Sequence, residues 1–284
     1  MVRLQAGALV CELEPQLGGC ISALWLDQVP VLRSTVAGKL ASARQSGSYP
    51  LVPFSNRIAQ ATLQWQGTQH PLVRNNAPEP HAIHGVGWQR PWEVLEQEEH
   101  FALLSYEHPA DAAWPFAFDS SQTLRLAGNA LELTLSITNQ SQGPAPAGLG
   151  WHPFFVKRPG SRISFEATGR WEMGADMLPT EQRPTQGLDA DCTSLEIDHC
   201  FDGWSGVAQL RDEVLDMRIS SSLKRLVVFT NAQRDSIAIE PVSHVNNALS
   251  LVQAGDDPQA LGVSVLQPGE SITAQMTIEV RKVT

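Results

Sequence analysis

The sequence predicts an all-β protein, a large antiparallel β-sandwich. Two observations lead to this fold class. Short runs of alternating apolar and polar residues recur along the chain between turn residues. Almost no stretch keeps an apolar face at helical spacing for three turns. Because so many strands with open edges would invite aggregation, they need either two packed sheets or a closed barrel, and we expect the sandwich.

Individual elements follow from local patterns. The clearest strands are expected in the runs 101–108, 121–141, 225–231, 236–241 and 271–283. In the second run "AGNA" predicts a turn, and four apolar residues then alternate with polar ones: Leu131, Leu133, Leu135 and Ile137. One or two helical turns are expected within 243–251, capped by Ser243. "GPAPAG" at 143–148 is expected to redirect the chain rather than to divide it, which predicts a single domain over 1–284.

Composition narrows the protein class. No apolar stretch reaches the roughly 18 residues that a membrane span requires, so we expect no membrane partner. Glu12 and Glu14 come too early for a signal peptide, which predicts a cytoplasmic protein. The four cysteines lack CxxC spacing and are expected to be reduced and partly buried, with a Cys192–Cys200 pair as the alternative: Cys11, Cys20, Cys192 and Cys200.

Net charge narrows the class of ligand. The formal charge of -10 and the absence of Lys/Arg clusters argue against a nucleic-acid partner. They argue less strongly against a phosphorylated substrate. A neutral small molecule fits this charge balance best.

The segment "GLGWHPFF" at 148–155 makes His152 the first candidate for chemistry. Gly148 and Gly150 allow close backbone approach, and Pro153 restricts His152 to extended geometry, so its side chain would point in a fixed direction. A core histidine bonded to a backbone carbonyl is the alternative for the same residue.

A second segment, "HAIHGVGW", places His81 and His84 three residues apart. On a helix this spacing would suggest a metal site, but the surrounding prolines and glycines disfavour a helix. We therefore expect one histidine to face a pocket, while the other supports it or faces solvent.

Glu240 follows the alternating run "SIAI" and precedes Pro241, which tends to sit where a strand stops. A carboxylate at a strand end can line the mouth of a pocket, or it can simply be solvated. Glu240 and His244 as two metal ligands are a further alternative.

Three more residues offer hydrogen bonds to a ligand. Asn56 and Arg57 in "LVPFSNRI" present several fixed donors, and the planar guanidinium suits adjacent hydroxyls or a carboxylate. An ordinary surface ion pair is the alternative for Arg57. Asp198 in "LEIDHCF" could accept hydrogen bonds from ligand hydroxyls or cap a turn.

Taken together and in order, these segments resemble the aldose 1-epimerase (mutarotase) family. The matching pieces are "NRI" at 56–58, "HGVGW" at 84–88, "GWHPFF" at 150–155, "IDHCF" at 197–201 and "IEP" at 239–241. No single piece is specific. Five pieces in the family's order identify the chain as a member.

The resemblance implies the galactose mutarotase-like supersandwich with a sugar-binding cleft. It implies that Glu240 is the general base, that His152 is the general acid, and that the sugar is bound by Arg57, His84 and Asp198, with Asn56 beside them. The expected partner is a monosaccharide, and the expected oligomeric state is a monomer or a homodimer.

The chemistry of such an enzyme explains these residue types. A base removes the proton of the C1 hydroxyl and an acid protonates the ring oxygen; the ring opens to an aldehyde, which rotates and closes on its other face. No metal, other cofactor or covalent intermediate is needed. Opposite charges favour one another, so we expect the active pair to be ionised, with Glu240 as carboxylate and His152 as imidazolium.

Departures from the family pattern concern the substrate. Galactose-type members carry a different lead-in to "NRI" and often Thr after the glutamate, whereas here "LVPFS" and Pro241 occupy these places. A divergent branch is therefore expected, and galactose preference does not carry over. A related branch acts on hexose 6-phosphates, for which Arg57, Arg74 and Arg90 are candidate phosphate ligands.

The sequence leaves further alternatives open. Trp88, Trp151 and Phe54 could each cover the apolar face of a sugar ring or pack in the core. The chain could be a non-catalytic sugar-binding protein of the same fold, although binding alone does not require both Glu240 and His152. A metal-dependent β-barrel isomerase is the third interpretation.

Overall fold

The computed structural model describes residues 1–35 and 38–283, and short strands dominate it. In these ranges the strands are β1 (Val2–Ala6), β2 (Leu9–Glu14), β3 (Cys20–Leu26), β4 (Val29–Pro30), β5 (Pro50–Leu51), β6 (Arg57–Ile58), β7 (Thr62–Trp65), β8 (Thr68–Pro71), β9 (Ala82–Ile83), β10 (Glu93–Gln97), β11 (Phe101–His108), β12 (Phe118–Ala127), β13 (Ala130–Asn139), β14 (Ala145–Ala147), β15 (Gly150–Trp151), β16 (Phe154–Val156), β17 (Arg162–Phe165), β18 (Gly169–Met173), β19 (Pro179–Pro184), β20 (Leu188–Asp191), β21 (Ile197–Asp202), β22 (Val207–Arg211), β23 (Leu215–Ser221), β24 (Arg225–Thr230), β25 (Ser236–Val242), β26 (Ser264–Leu266) and β27 (Ser271–Lys282). The α-helices are α1 (Ala248–Ala254) and α2 (Pro258–Leu261).

Two large sheets form the sandwich. The nine-stranded sheet has the order β10-β11-β12-β13-β27-β23-β22-β17-β20, and the eight-stranded sheet has the order β19-β18-β21-β24-β25-β15-β5, with β16 also paired to β25. The ladders within both sheets are antiparallel. The all-β antiparallel sandwich expected from the sequence is confirmed.

Apolar residues that alternate with polar ones in the sequence lie in the core. In β13 the four apolar residues that alternate with polar ones are all buried. Side chains from both sheets join one hydrophobic cluster, for example Leu135 of β13 and Ile239 of β25. Trp151 of the eight-stranded sheet donates its indole N–H to the side-chain oxygen of Gln122 in the nine-stranded sheet, at 3.2 Å, and so links the two layers.

Strand β25 is buried along its whole length, and it does not end at Glu240 as the sequence suggested. The reason lies in its neighbours. Ile239 donates its N–H to the carbonyl of Pro153, and Ser243 donates to that of Leu149. Because donors alternate along a strand, Pro241 faces the interruption between β15 and β16, where no N–H is needed.

The helical segment also differs from its prediction. Helix α1 begins after Asn247, not after Ser243, whose hydroxyl instead accepts the N–H of Leu149. The 143–148 segment contains β14, which pairs with β26 before the chain enters β15.

Two compositional features have structural counterparts. All four cysteines are buried free thiols. None of the helices in the described ranges has the length and apolar character needed to cross a membrane.

Two leucines test the assignment of the core. We expect Leu133→Ala in β13 to lower the free energy of unfolding by about 2–5 kcal/mol, because Leu133 is 1% exposed and its truncation leaves a cavity. The matched change Leu95→Ala on the edge strand β10 should alter it by no more than about 0.5 kcal/mol, since Leu95 is 54% exposed. Urea titrations of both variants measure this, and equal midpoints would contradict it.

Candidate active site

A cavity of about 190 Å³ lies against one face of the eight-stranded sheet. The six site residues proposed from the sequence all line it: Asn56, Arg57, His84, His152, Asp198 and Glu240. They come from positions spread over most of the chain, so the fold rather than local sequence brings them together.

Strand register explains why two carboxylates share this cavity. Asp198 of β21 lies opposite Phe229 of β24, and Val227 of β24 lies opposite Glu240 of β25. Cross-strand partners and residues two apart on a strand point to the same face of a sheet. Asp198 and Glu240 therefore project from one face, with Val227 and Phe229 between them.

His152 lies in the interruption between β15 and β16, directly beside β25. Its backbone N–H donates to the carbonyl of Tyr49 at 3.0 Å. Its ring stacks on Phe154, with 4.3 Å between ring centroids, and contacts Tyr49 at 4.9 Å. These contacts hold the imidazole in one orientation toward Glu240.

The imidazole and the carboxylate lie in direct contact. Nε2 of His152 is 3.2 Å from Oε1 of Glu240, and the two residues are 7% and 2% exposed. Within the part of the chain that the structure describes, Oε2 of Glu240 and Nδ1 of His152 have no hydrogen-bond partner. Leaving buried polar atoms unpaired costs stability, which is tolerated where those atoms serve a ligand or a reaction.

Burial shifts the pKa values of both members of this pair. Burial raises the pKa of Glu240 well above its ordinary value; the negative charge of Asp198 raises it further, and Arg57 opposes the shift. Burial likewise lowers the pKa of His152 to about 3, and the charge of Arg33 adds to that. Desolvation therefore opposes the ionised pair expected from the sequence, whereas the direct contact of the two groups favours it.

Arg57 is oriented by a residue that sequence analysis missed. Its Nε and Nη2 donate to the two carboxylate oxygens of Glu79, at 2.9 and 3.1 Å, in a bidentate pair. Burial raises the pKa of the neighbouring Asp198, while Arg57 opposes that shift. Arg57 thus places a positive charge near the carboxyl groups of Asp198 and Glu240.

His84 and Asn56 fix each other through their backbones. The N–H of Asn56 donates to Nδ1 of His84 at 3.1 Å, and the N–H of His84 donates to the carbonyl of Asn56 at 2.8 Å. Both residues adopt left-handed backbone angles, with φ of 53° and 61°, which is unusual outside glycine. Since Nδ1 accepts a hydrogen bond, neutral His84 carries its proton on Nε2.

The interpretation of His81 and His244 as metal ligands is wrong, because both nitrogens of each ring form hydrogen bonds to the backbone. His81 accepts the N–H of Gln60 at Nδ1 and donates from Nε2 to a backbone carbonyl. His244 accepts the N–H of Ser55 at Nε2 and donates from Nδ1 to the carbonyl of the next residue. Both rings hold the 55–60 segment in place, and the described residues contain no group of three or more His, Cys, Asp or Glu suited to a metal ion.

The aromatic candidates pack elsewhere. Trp88, Trp151 and Phe54 are at most 4% exposed and belong to the hydrophobic core. Phe229 lines the cavity instead. Trp151 follows the alternation of its segment, which directs it away from the face that His152 occupies.

Two of the three arginines proposed as phosphate ligands, Arg74 and Arg90, do not line the cavity. Arg74 is exposed outside the cavity, and Arg90 pairs on the surface with Asp111 at 3.1 Å. Arg44 and Arg234 line the cavity with Arg57. Neither lies in a recognisable motif, so no signal in a single sequence could have singled them out.

The hydrogen bonds predict opposite tautomers for two buried histidines. We expect His84 to carry its proton on Nε2 and His244 on Nδ1, because each uses its other nitrogen to accept a backbone N–H. Both should stay neutral at pH 6, because burial lowers the pKa of His84 well below 6.5 and that of His244 to about 4. Ring ¹⁵N chemical shifts measure both properties, and a His84 that titrates near 6.5 would contradict the contact.

Comparison with known proteins identifies the family of the chain. The family model described as aldose 1-epimerase matches residues 1–279. The uncharacterized protein YphB of Escherichia coli strain K12 is 30% identical over 294 aligned positions, which cover 98% of this chain and 97% of that protein.

Solved structures agree as well. The crystal structure of an aldose 1-epimerase candidate from Escherichia coli K12 superposes with a TM-score of 0.88 at 27% identity and covers 99% of both chains. A galactose mutarotase-like protein from Clostridium acetobutylicum, at 19% identity, gives a TM-score of 0.85 over 99% of this chain and 95% of its own, which shows a shared fold. The match along nearly the whole chain and the likeness in structure establish that this protein belongs to the aldose 1-epimerase family.

Proposed function

We propose that the protein interconverts the α and β anomers of an aldose, with Glu240 as general base and His152 as general acid. The observation that carries this proposal is the buried contact of 3.2 Å between Nε2 of His152 and Oε1 of Glu240 inside a polar cavity. The two oxygens that exchange protons in the reaction, the C1 hydroxyl and the ring oxygen, are bonded to the same carbon. An acid and a base that serve them must therefore be close neighbours.

The proton balance closes on these two side chains. In ring opening, Glu240 takes the proton of the C1 hydroxyl and His152 gives a proton to the ring oxygen, while the bond between C1 and the ring oxygen breaks. After rotation about C1–C2, neutral His152 removes the proton of the C5 hydroxyl and Glu240 returns one to the carbonyl oxygen. The enzyme ends in its starting protonation state.

Burial of the pair assists ring opening. Ring opening converts a charged pair into a neutral pair, and a buried charged pair carries a desolvation cost. Since the pKa of Glu240 is raised and that of His152 lowered, the site favours the proton arrangement that accompanies the open aldehyde. Interactions that are stronger along the reaction path than in the ground state accelerate the chemical step.

The other polar groups suit the hydroxyls of a sugar. Nε2–H of His84 is a donor, the carboxylate of Asp198 is an acceptor, and Arg57 and Asn56 add further polar groups on the same wall. Phe229 supplies an apolar surface of the kind that covers a sugar ring.

Substitution of the pair tests the proposal. We expect Glu240→Gln and His152→Asn each to lower kcat for anomer exchange by about 10²–10⁴, since each removes one proton-transfer group while nearly preserving its shape. The matched controls Glu213→Gln and His100→Asn change exposed residues outside the cavity and should retain activity. Exchange NMR or polarimetry on fresh α-glucose and galactose provides the rates.

Near-full activity of either cavity variant would remove that residue from the mechanism. If wild type binds sugars but never exceeds the buffer rate, the chain is a sugar-binding protein of the same fold. Loss of wild-type activity on chelation would favour the metal-dependent alternative.

The pH profile tests the electrostatics of the pair. The active pair holds one proton: it gains a second at low pH and loses its only one at high pH, so activity should be bell-shaped. With the pKa of His152 lowered to about 3, we expect the acid limb of kcat/KM well below pH 6. The alkaline limb should lie well above the ordinary carboxyl range, because the pKa of Glu240 is raised. An alkaline limb centred near pH 6.5 would show instead that an ordinary imidazolium is required.

A further inference from the structure

Phe154 separates the candidate acid from a positive charge. His152 and Phe154 are two residues apart in an extended stretch, so their side chains point to the same side, and their rings stack with 4.3 Å between centroids and 26° between planes. The guanidinium carbon of Arg33 lies 3.8 Å from the centroid of the same phenyl ring. Since two planar groups this close to one centroid cannot share one face, the guanidinium and the imidazole lie on opposite faces of Phe154.

Backbone pairing places Arg33 beside this ring. The segment 31–33, which follows β4, runs antiparallel to β16 through a bridge between Leu32 and Phe155. Arg33 donates its backbone N–H to the carbonyl of Phe154 at 2.7 Å. The side chain of Arg33 therefore starts next to the phenyl ring on which it stacks.

The guanidinium is anchored without being neutralised. Nε and Nη2 of Arg33 donate to the carbonyl of Ser46 at 2.9 and 2.7 Å, and Nη2 also donates to the carbonyl of Arg44. Carbonyl oxygens orient a guanidinium but do not cancel its charge, which arginine does not lose in proteins. Burial lowers the pKa of Arg33, and the charge of Asp235 opposes that shift. Arg33 thus keeps a fixed positive charge behind the phenyl ring.

Other groups also act on the imidazole of His152. The titratable and charged groups that face it from the neighbouring elements are Glu240 of β25, Tyr49 before β5, His84 after β9, Arg44 of the 3-10 turn Ala43–Gln45 and Arg234 between β24 and β25, and the same cavity holds Arg57, Glu79 and Asp198. Contact with Glu240 favours the charged imidazole, whereas the arginines oppose it. Burial lowers the pKa of His152, and Arg33 adds more to that shift than either Arg44 or Arg234.

We propose that Arg33 is a positioning residue for the acid of the mechanism: through Phe154 it fixes the plane of the imidazole, and its charge makes His152 a stronger proton donor to the ring oxygen. A positive charge behind the phenyl ring destabilises an imidazolium in front of it. An acid whose charged form is destabilised gives up its proton more readily. This role of Arg33 rests on the proposed function, in which His152 gives the proton.

Two substitutions of Arg33 separate its charge from its anchoring. Loss of a nearby positive charge makes each protonation of the pair easier, so in Arg33→Gln both limbs of the kcat/KM profile should move to higher pH. We expect the alkaline limb to rise by about 0.5–1 pH unit and kcat for anomer exchange of glucose or galactose to fall about three- to tenfold. Arg33→Lys should keep the wild-type limb. Both variants lose the planar fork, so the difference between them isolates the charge.

Ring ¹⁵N chemical shifts of His152 follow the same titration without any sugar. The pH at which the ring titrates should rise in Arg33→Gln and stay at the wild-type value in Arg33→Lys. The matched control is Arg125→Gln, which removes another guanidinium stacked on a phenylalanine, 5.1 Å from the ring centroid of Phe101 in the nine-stranded sheet and outside the cavity. It should leave the titration and both limbs unchanged. Thermal unfolding of each variant confirms that the fold is intact.

The outcomes separate the role of Arg33 from the proposed function. An alkaline limb and a His152 titration that stay at the wild-type pH in Arg33→Gln overturn this role and leave the epimerase standing. Equal shifts in Arg33→Lys also overturn it, because the anchoring would then be responsible, and equal shifts in Arg125→Gln would show an effect of overall charge. If wild type accelerates no sugar, the proposed function fails, while the titration of His152 still shows whether Arg33 acts on the imidazole.

Discussion

The rest of the site depends on one buried contact, that between the imidazole of His152 and the carboxylate of Glu240. Glu240 is 2% exposed, and its strand β25 lies inside the eight-stranded sheet, with β24 on one side and β15 and β16 on the other. His152 reaches it because β15 and β16 are interrupted beside Pro241, which needs no partner for a backbone N–H. The sheet therefore supplies both the contact and the low-dielectric environment that shifts the pKa values of the two groups.

Two buried histidines hold the 55–60 segment, which carries Asn56 and Arg57 of the cavity wall. His81 and His244 each accept a backbone N–H from the 55–60 segment, and burial keeps His244 uncharged. The left-handed backbones of Asn56 and His84 lie within the wall that these rings support. Unusual backbone angles persist where the surroundings over-determine them, as the paired hydrogen bonds do here. His84 and His152 thus line the cavity, while His81 and His244 support the segment beside it.

Much of the fold could be predicted from the sequence because it follows local rules. Alternating residues such as Leu133 and Leu135 mark strands whose one face is buried, and period-2 alternation needs no knowledge of distant residues. The exceptions depend on residues far away in the chain. Pro241 continues a strand because of a gap in its neighbour, and Ser243 bonds to Leu149 rather than capping a helix.

By itself the sequence determined the all-β class, the family, and six residues that line the cavity, because their motifs stand in the family's order. Only the tertiary structure decided how deeply these residues are buried and which charged groups lie beside them. Burial, which no motif reports, raises the pKa of Glu240 and lowers that of His152, and so opposes the ionised pair that the sequence suggested. Long-range packing likewise brings Glu79, Arg44 and Arg234 to the cavity and places the three candidate aromatics in the core, because the direction in which a side chain points depends on strands far away in the chain.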